Sequence, residues 1–270
     1  MSAPASTPGR SHSDLETRRA PGWGGFNLTI LGLEVRRLLR NRRTLIFSIV
    51  MPVFFFLIFG LNAQYASLSA GHGNVSAFIM ISMALYGAIL ATTSGGAMVS
   101  IERAAGWSRQ LRLTPLSPIA YVAVKMLTAL VLGLGSVLAV YAVGIISGKP
   151  TMASYLWVVT GLSVWIGSLV FAAFGLFMGY LLPTENVMQL LSFALVLFAF
   201  GGGLFVPLSQ LPALFQTIAQ FTPLYGLNTL VHAPLTGEAP GVSVVANVLV
   251  WLAIFTGGAV WRFRQDTARV

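Results

Sequence analysis

The sequence has no cysteine and few charged residues, and both features limit the class of protein to which it can belong. Without cysteine there is neither a disulfide framework nor a thiolate metal site. Only 9% of its 270 residues are charged, whereas a soluble domain carries about a quarter. Residues 44–101 and 186–237 contain no Asp, Glu, Lys or Arg. Uncharged runs of this length exclude an ordinary soluble domain and predict membrane-spanning helices, each of which needs about 20 apolar residues.

Reactive side chains are scarce as well, which argues against an enzyme. The two aspartates, Asp14 and Asp266, lie near the termini, and the three histidines lie far apart without the spacing of metal ligands. Neither the G-x-S-x-G nor the H-E-x-x-H motif occurs. We therefore expect no catalytic residue, no metal site and no cofactor bound by this chain.

The hydrophobic residues fall into six long segments. Their lengths predict an all-α integral membrane protein with six transmembrane helices. The predicted spans cover residues 44–62, 75–100, 118–147, 155–182, 186–205 and 242–261. Pro52 in the first span predicts a kink, with the freed backbone carbonyl satisfied by a neighbouring helix. Ser117 before Pro118 predicts the N-terminal cap of the third span.

The segments outside the spans differ in polarity. Residues 1–25 are rich in Ser, Pro, Gly and Ala and predict a disordered cytoplasmic tail. Residues 26–43 mix apolar and basic positions at helical spacing, which predicts an N-terminal amphipathic helix at the membrane interface. Residues 206–225 are too polar to cross and too apolar for a free loop, so we expect short re-entrant helices on the outer face. Residues 44–262 thus form a six-span domain, and residues 263–270 form a cytoplasmic tail.

The basic residues lie on one side of the predicted membrane. If the N-terminus is cytoplasmic, only Lys149 of the 16 Lys and Arg residues falls outside. This asymmetry places both termini in the cytoplasm and explains the positive net charge without nucleic acid. Glu102, Lys125 and Glu185 fall at or near cytoplasmic ends of the spans, so no charge lies at mid-membrane. A self-powered, ion-coupled antiporter is therefore disfavoured.

The loop between the second and third spans combines charge, glycine and proline. It reads Glu102-Arg103-x-x-Gly106, then Leu111-Arg-Leu-Thr-Pro-Leu-Ser-Pro118, with Lys125 inside the next span. Residues 101–112 predict a short helix on the cytoplasmic surface, which Pro115 ends. A basic turn that only fixes the topology is the alternative.

This motif resembles the permeases of type-2 ATP-binding cassette (ABC) exporters, a family that includes bacterial multidrug and daunorubicin-type antibiotic-resistance permeases. The resemblance covers most of the chain: the basic N-terminal helix, the six spans, the loop, the Thr184-Glu185-Asn186 turn and the outer segment before the last span. Trp107 departs from the family pattern, in which threonine is common at that position.

The resemblance implies that the loop helix is a coupling helix seated in a groove of a separate ATPase subunit. The residues that it assigns to this contact are Glu102, Arg103, Gly106, Leu111, Arg112 and Pro115. The N-terminal helix would pack beside the same ATPase through Arg36, Arg37 and Arg40. The resemblance also implies two ATPase subunits, which hold ATP and Mg, and a second permease copy, in the plasma membrane of a bacterium.

The lack of charge in the spans favours an amphiphilic or hydrophobic cargo, such as a drug, an antibiotic or a lipid, moved out by alternating access. Aromatic residues that could line an apolar pathway are Phe54, Phe55, Phe198 and Phe205, and contact of these residues with lipid is an alternative at least as strong. Small residues such as Gly175 and Gly179 either allow close helix approach or reflect composition alone. An ATPase-independent channel or scaffold, and a polysaccharide-exporting ABC permease, are the competing functions.

Overall fold

The computed structural model describes residues 28–40, 42–106, 117–206 and 208–268, which form an almost entirely helical protein. The helices are α1 (Leu28–Leu39), α2 (Arg42–Phe59), α3 (Ala63–Ser67), α4 (Val75–Ala97), α5 (Val99–Ala104), α6 (Pro118–Ser147), α7 (Ser154–Gly167), α8 (Leu169–Leu181), α9 (Val187–Gly201), α10 (Ala213–Ala219), α11 (Pro223–Thr236) and α12 (Val242–Ala268). Strands β1 (Ser69–Ala70) and β2 (Gly73–Asn74) pair as a short antiparallel hairpin, and a 3-10 turn covers Leu208–Gln210.

Within the described residues, four apolar helical segments are long enough to cross a membrane. They are Val75–Ala104, Pro118–Ser147, Ser154–Leu181 and Val242–Asp266, which correspond to the predicted second, third, fourth and sixth spans. The apolar helices of the other two predicted spans, Ile46–Phe59 and Val187–Gly201, are shorter. Each of these segments rises only about 21–23 Å, less than a bilayer core of about 30 Å. The count of six crossings therefore stays a prediction.

Helix α4 lies at the centre of the bundle because it is apolar around its whole circumference. Helices α2, α6, α8 and α9 pack around it. Close contact with α8 depends on glycine, since a Cβ on Gly175 would overlap the carbonyl oxygen of Thr93. A Cβ on Gly179 would lie 3.1 Å from the Cα of Ala97. Close helix approach at these two glycines is therefore a property of the fold and not of composition alone.

Helix α2 continues through Pro52, which lacks the amide N–H that would bond the carbonyl of Ser48. The hydroxyl of Ser136 on α6 donates a 2.7 Å hydrogen bond to this carbonyl. Gly87 of α4 leaves room for the proline ring, because a Cβ there would lie 2.6 Å from Pro52 Cγ. The structure confirms the prediction that a neighbouring helix satisfies the freed carbonyl.

Three boundaries differ from the prediction. Helix α12 continues to Ala268, so residues 263–268 of the predicted tail are helical and continuous with the last span, while their cytoplasmic location stays a prediction. Helix α5 follows α4 directly after Met98, which places Glu102 and Arg103 at the end of a long apolar helix and not on a separate surface helix. Helix α11 begins after the Thr222 cap and extends well beyond residue 225, to Thr236, where Gly237 in the left-handed conformation ends it.

Asn74 holds the bundle together at the end where α4 begins. Its Nδ2 donates to the carbonyl oxygens of Ala66 and Lys149. Its Oδ1 accepts hydrogen bonds from the backbone N–H groups of Ala77 and Thr151. Because this buried amide uses both donors and both acceptor sites, it fixes the start of α4 against α3 and the connection from α6 to α7.

Candidate functional site

A buried ion cluster lies where α5 ends, formed by Glu34, Arg37, Glu102, Tyr121 and Lys125. Lys125 Nζ lies 2.6 Å from Glu102 Oε1 and 2.8 Å from Glu34 Oε2. Arg37 Nη1 donates to the same Glu102 oxygen at 2.9 Å, and the Tyr121 hydroxyl donates to Glu102 Oε2 at 2.9 Å. The side chains of Glu102 and Lys125 are only 4% and 5% exposed, so water screens this pair little.

Helices α1, α5 and α6 supply the ion cluster. Glu34 and Arg37 lie one turn apart on α1 and therefore reach the same side of it. Tyr121 and Lys125 are likewise one turn apart on α6, which begins at the predicted Ser117 cap. Two cations balance two carboxylates, as burial requires, because an unpaired buried charge costs several kcal/mol. The ion cluster thus ties α1 and α6 to the end of α5.

Arg103 makes a second link beside the ion cluster. Its Nε forms a 2.5 Å ion pair with Asp266 Oδ2 on α12. Its Nη1 donates to the backbone carbonyls of Tyr180 at 2.8 Å and Gly179 at 3.3 Å. These carbonyls lie at the C-terminus of α8, where the helix dipole favours a cation. The end of α5 is therefore tied to α8 and α12 as well.

The predicted coupling residues differ in what the structure shows of them. Glu102 and Arg103 use their charges on partners within the chain. Gly106 follows α5 with a φ of 77°, a backbone conformation that favours glycine. The other predicted residues lie outside the described part of the chain: Leu111, Arg112 and Pro115. The structure thus describes three of the six predicted coupling residues, all at or just after the end of α5.

The arginines predicted to face the ATPase lie on α1. Arg36 and Arg40 are exposed. The side chain of Arg37 is 47% exposed and pairs with Glu102. One of the three is thus engaged within the chain, while the other two present positive charge at the surface.

The sequence did not reveal Glu34, Tyr121 and Asp266 as partners of these charges. One signal was available, since Glu102 and Lys125 are isolated charges at the ends of apolar stretches, and such charges are usually paired. The partner itself could not be named, because Glu34 and Lys125 are 91 positions apart.

An apolar cavity of about 740 Å³ lies between α2, α4 and α9. Ser82 on its wall lies 20 residues before Glu102, or about 30 Å along the helix axis. The cavity and the ion cluster are therefore far apart along the same long helix. Among the described residues, none that lines the cavity is charged, and no group of three His, Asp or Glu side chains could hold a metal ion.

Aromatic rings form much of the cavity wall. Phe55 and Phe205 meet edge to face with centroids 6.2 Å apart, and the Tyr86 ring lies 5.0 Å from that of Phe205. Phe54 instead points outward and is 51% exposed. Phe198 packs against phenylalanines of α8. Of the four predicted pathway residues, the structure brings Phe55 and Phe205 to the cavity and not the other two.

A chain of hydrogen bonds lies behind the cavity wall. Ser82 Oγ lies 3.1 Å from His232 Nε2, and His232 Nδ1 lies 2.9 Å from the carbonyl oxygen of Asn228. Asn228 Nδ2 donates to the carbonyls of Gly202 and Gly203 at the end of α9. Burial lowers the pKa of the His232 imidazole, which is therefore neutral at pH 7. This chain joins α4, α11 and the end of α9.

Comparisons with known proteins cover both regions. The family model described as "ABC-2 type transporter" matches residues 27–235. A protein of Bacillus subtilis (strain 168) named "Putative transport permease YvfS" is 26% identical over 224 residues, which cover 82% of this chain and 90% of that protein. The residues matched by the family model include the whole ion cluster and the whole cavity lining.

Proposed function

The chain belongs to the ABC-2 type transporter family, and from this premise we propose that it is the permease subunit of an ATP-driven exporter. Its family and its apolar helices make it a multi-pass membrane protein. The proposed cargo is an amphiphilic or hydrophobic compound that is moved out of the cell by alternating access. Two copies of a separate ATPase subunit hold the ATP and Mg, and two permease copies form the pathway in a bacterial plasma membrane, with their termini in the cytoplasm.

The ion cluster is the observation that carries the coupling proposal. The loop after α5 is the segment that resembles a coupling helix. The ion cluster ties the start of this loop to α1 and α6, and Arg103 ties it to α8 and α12. Because buried ion pairs resist separation, a force on the loop moves these helices together and does not bend the loop alone.

The cavity supports the choice of cargo. Its volume of about 740 Å³ falls within the range of about 300–1,000 Å³ that drug-sized ligands occupy. Its walls are mostly aromatic and aliphatic, with a few polar groups such as Ser82 and Gln210. An amphiphile matches this mixture, whereas a polysaccharide needs many more hydrogen-bond partners. The cavity therefore favours a compact amphiphile over a sugar polymer.

Coupling is tested by purifying the tagged permease from native membranes and reconstituting it in proteoliposomes with the ATPase that copurifies. The probe cargo is 4-(pyren-1-yl)butan-1-ol. Arg37→Gln removes the link from α1 to Glu102 and is expected to lower probe-stimulated ATP hydrolysis several-fold while the complex still assembles. Lys149→Gln removes the same charge near the other end of α6 and should leave hydrolysis unchanged. If no ATPase copurifies, the result favours a channel or scaffold; if Arg37→Gln matches wild type, the ion cluster does not couple.

The orientation is directly testable because the chain has no cysteine. Ala105 lies beside the ion cluster and Ala153 lies at the opposite end of the bundle, and both are exposed. A membrane-impermeant maleimide should label Ala153→Cys in intact cells and Ala105→Cys only after permeabilisation. The reverse pattern would contradict a cytoplasmic ion cluster.

A further inference from the structure

The hydroxyl of Ser82 has a defined direction, which His232 sets. His232 Nδ1 lies 2.9 Å from the carbonyl oxygen of Asn228. A carbonyl can only accept, and the Asn228 carbonyl is the partner of Nδ1 among the described residues, whereas Nε2 also faces a hydroxyl that can donate. We therefore assign the proton to Nδ1. In a neutral imidazole, Nε2 is then an acceptor. The Ser82 hydroxyl at 3.1 Å and the Phe78 carbonyl at 3.2 Å lie near Nε2, and of these two only the hydroxyl can donate.

The neutral imidazole follows from the surroundings of His232. The residue is 4% exposed, and its ring lies against the ring of Phe78 with centroids 4.0 Å apart. Removal from water disfavours the charged form of a histidine. The proton of the Ser82 hydroxyl is therefore directed at Nε2.

Ser82 also lines the cavity, where it forms a small part of the wall because only 2% of the residue is exposed. Because the proton of the Ser82 hydroxyl is directed at His232, this hydroxyl can only accept a hydrogen bond from a molecule in the cavity. We propose, on the basis of the proposed function, that Ser82 selects the cargo by accepting a hydrogen bond, so that the cargo class is amphiphiles that carry a donor such as a hydroxyl or an amide N–H. His232 is the positioning residue, because it acts through Ser82.

The same hydrogen-bonded chain holds a second wall of the cavity. Asn228 Nδ2 donates to the carbonyls of Gly202 and Gly203 at 3.1 and 3.2 Å, next to the aromatic wall at Phe205. Helix α11 therefore fixes the acceptor on α4 and the apolar wall at the end of α9 together. The distance between the Ser82 hydroxyl and the aromatic wall at Phe205 is therefore fixed. A ligand that donates a hydrogen bond to Ser82 would place its apolar part against these aromatic rings.

Two probes of nearly equal shape test the proposal. One is 4-(pyren-1-yl)butan-1-ol, and the other is its methyl ether, which has the same oxygen without the donor. Binding is measured by fluorescence with the full chain in lipid nanodiscs, against empty nanodiscs. We expect wild type to bind the alcohol about 5-fold more tightly than the ether, the size of one net hydrogen bond. The ratio should be lost in Ser82→Ala and kept in Ser82→Thr.

The role of His232 has its own signature. His232→Phe keeps the ring against Phe78 but removes the acceptor, so the Ser82 hydroxyl is free to turn and donate into the cavity. We expect this variant to bind the ether more tightly than wild type does. The double variant with Ser82→Ala should match Ser82→Ala alone, because a positioning residue has no effect once its target is gone. If His232 only supported the fold, the double variant would instead bind the probes more weakly than Ser82→Ala alone.

The outcomes separate this proposal from the function on which it rests. Ile79→Trp fills the cavity from α4, one turn before Ser82, and should weaken both probes at least 10-fold. If it weakens both while Ser82→Ala keeps the wild-type ratio, Ser82 does not select the cargo, but the cavity still binds it. If Ile79→Trp changes neither affinity, or wild type binds neither probe, the cavity is not the cargo site, and both the Ser82 proposal and the proposed cargo class fail. The coupling proposal is then still decided by ATP hydrolysis in wild type and Arg37→Gln.

Discussion

The hydroxyl of Ser136 takes the place of the N–H group that Pro52 lacks. It reaches from α6 and donates to the carbonyl of Ser48, four residues before the proline, at 2.7 Å. Inside an apolar helix bundle, water is not available to donate a hydrogen bond to such a carbonyl. The contact therefore makes a proline inside α2 compatible with burial and fixes the position of α2 on α6.

Ser136→Ala should destabilise the protein by about 1–3 kcal/mol, because it leaves a buried carbonyl without this donor. In a Pro52→Ala background the chain regains an N–H at residue 52, so the same substitution should cost clearly less. Chemical unfolding in detergent micelles measures all four members of the cycle. Equal costs in the two backgrounds would show that the serine does not compensate for the proline.

Gly175→Ala should destabilise the contact between α4 and α8 by about 1–3 kcal/mol, since the added methyl group overlaps the Thr93 carbonyl oxygen. Gly135→Ala on α6 is the matched control. A Cβ there meets nothing within 4 Å, so this change should be neutral or stabilise by up to about 1 kcal/mol. Thermal unfolding of both variants tests the pair, and similar midpoints would contradict the close approach at Gly175.

Lys125→Met should destabilise the protein by about 3 kcal/mol, because among the described residues it leaves Glu34 and Glu102 with only the half-exposed Arg37 as a cation. Adding Glu102→Gln removes the charge that has lost its partner. The double variant should therefore be more stable than the sum of the single effects predicts. Strict additivity in unfolding measurements would argue that these two charges do not interact.

Stability should fall at low pH through His232. Its pKa is lowered by burial from an ordinary value of 6.5, so below about pH 6.5 the unfolded chain binds a proton that the folded chain does not. The free energy of unfolding therefore decreases as the pH falls below this value, by at most about 1.4 kcal/mol per pH unit. His232→Gln removes this contribution, so the difference between the two pH profiles isolates it. Parallel profiles from pH 7 to pH 5 would contradict a neutral, buried imidazole.

Much of the helical structure was predictable because its signals are local. The Ser117 cap and Pro118 set the start of α6, and the apolar stretches set the cores of α4, α6 and α12. The requirement at Pro52 was also predictable, since a missing N–H always frees a carbonyl four residues earlier. Its donor, Ser136, was not, because that depends on which helix packs beside α2.

Helix α11 shows why other parts could not be predicted. Its apolar residues alternate with Asn228, Thr229 and His232, and Pro234 lies inside it, so the pattern resembles a polar connection. Packing against α4 and α12 stabilises this helix, because the polar side chains on α11 form hydrogen bonds with neighbouring segments. Tertiary contacts thus stabilise a helix that local preference leaves undecided.

The sequence by itself determined the membrane character, the all-helical class and the resemblance to a permease family, because these depend on composition, spacing and one short motif. The tertiary structure alone decided that Lys125 meets Glu34 and Glu102, that Arg103 meets Asp266, and that Ser82 meets His232 across 150 positions. The helical spacing of residues predicts which side of its helix each residue occupies. It does not state which helix docks against that side, and the ion cluster and the cavity wall both depend on that docking.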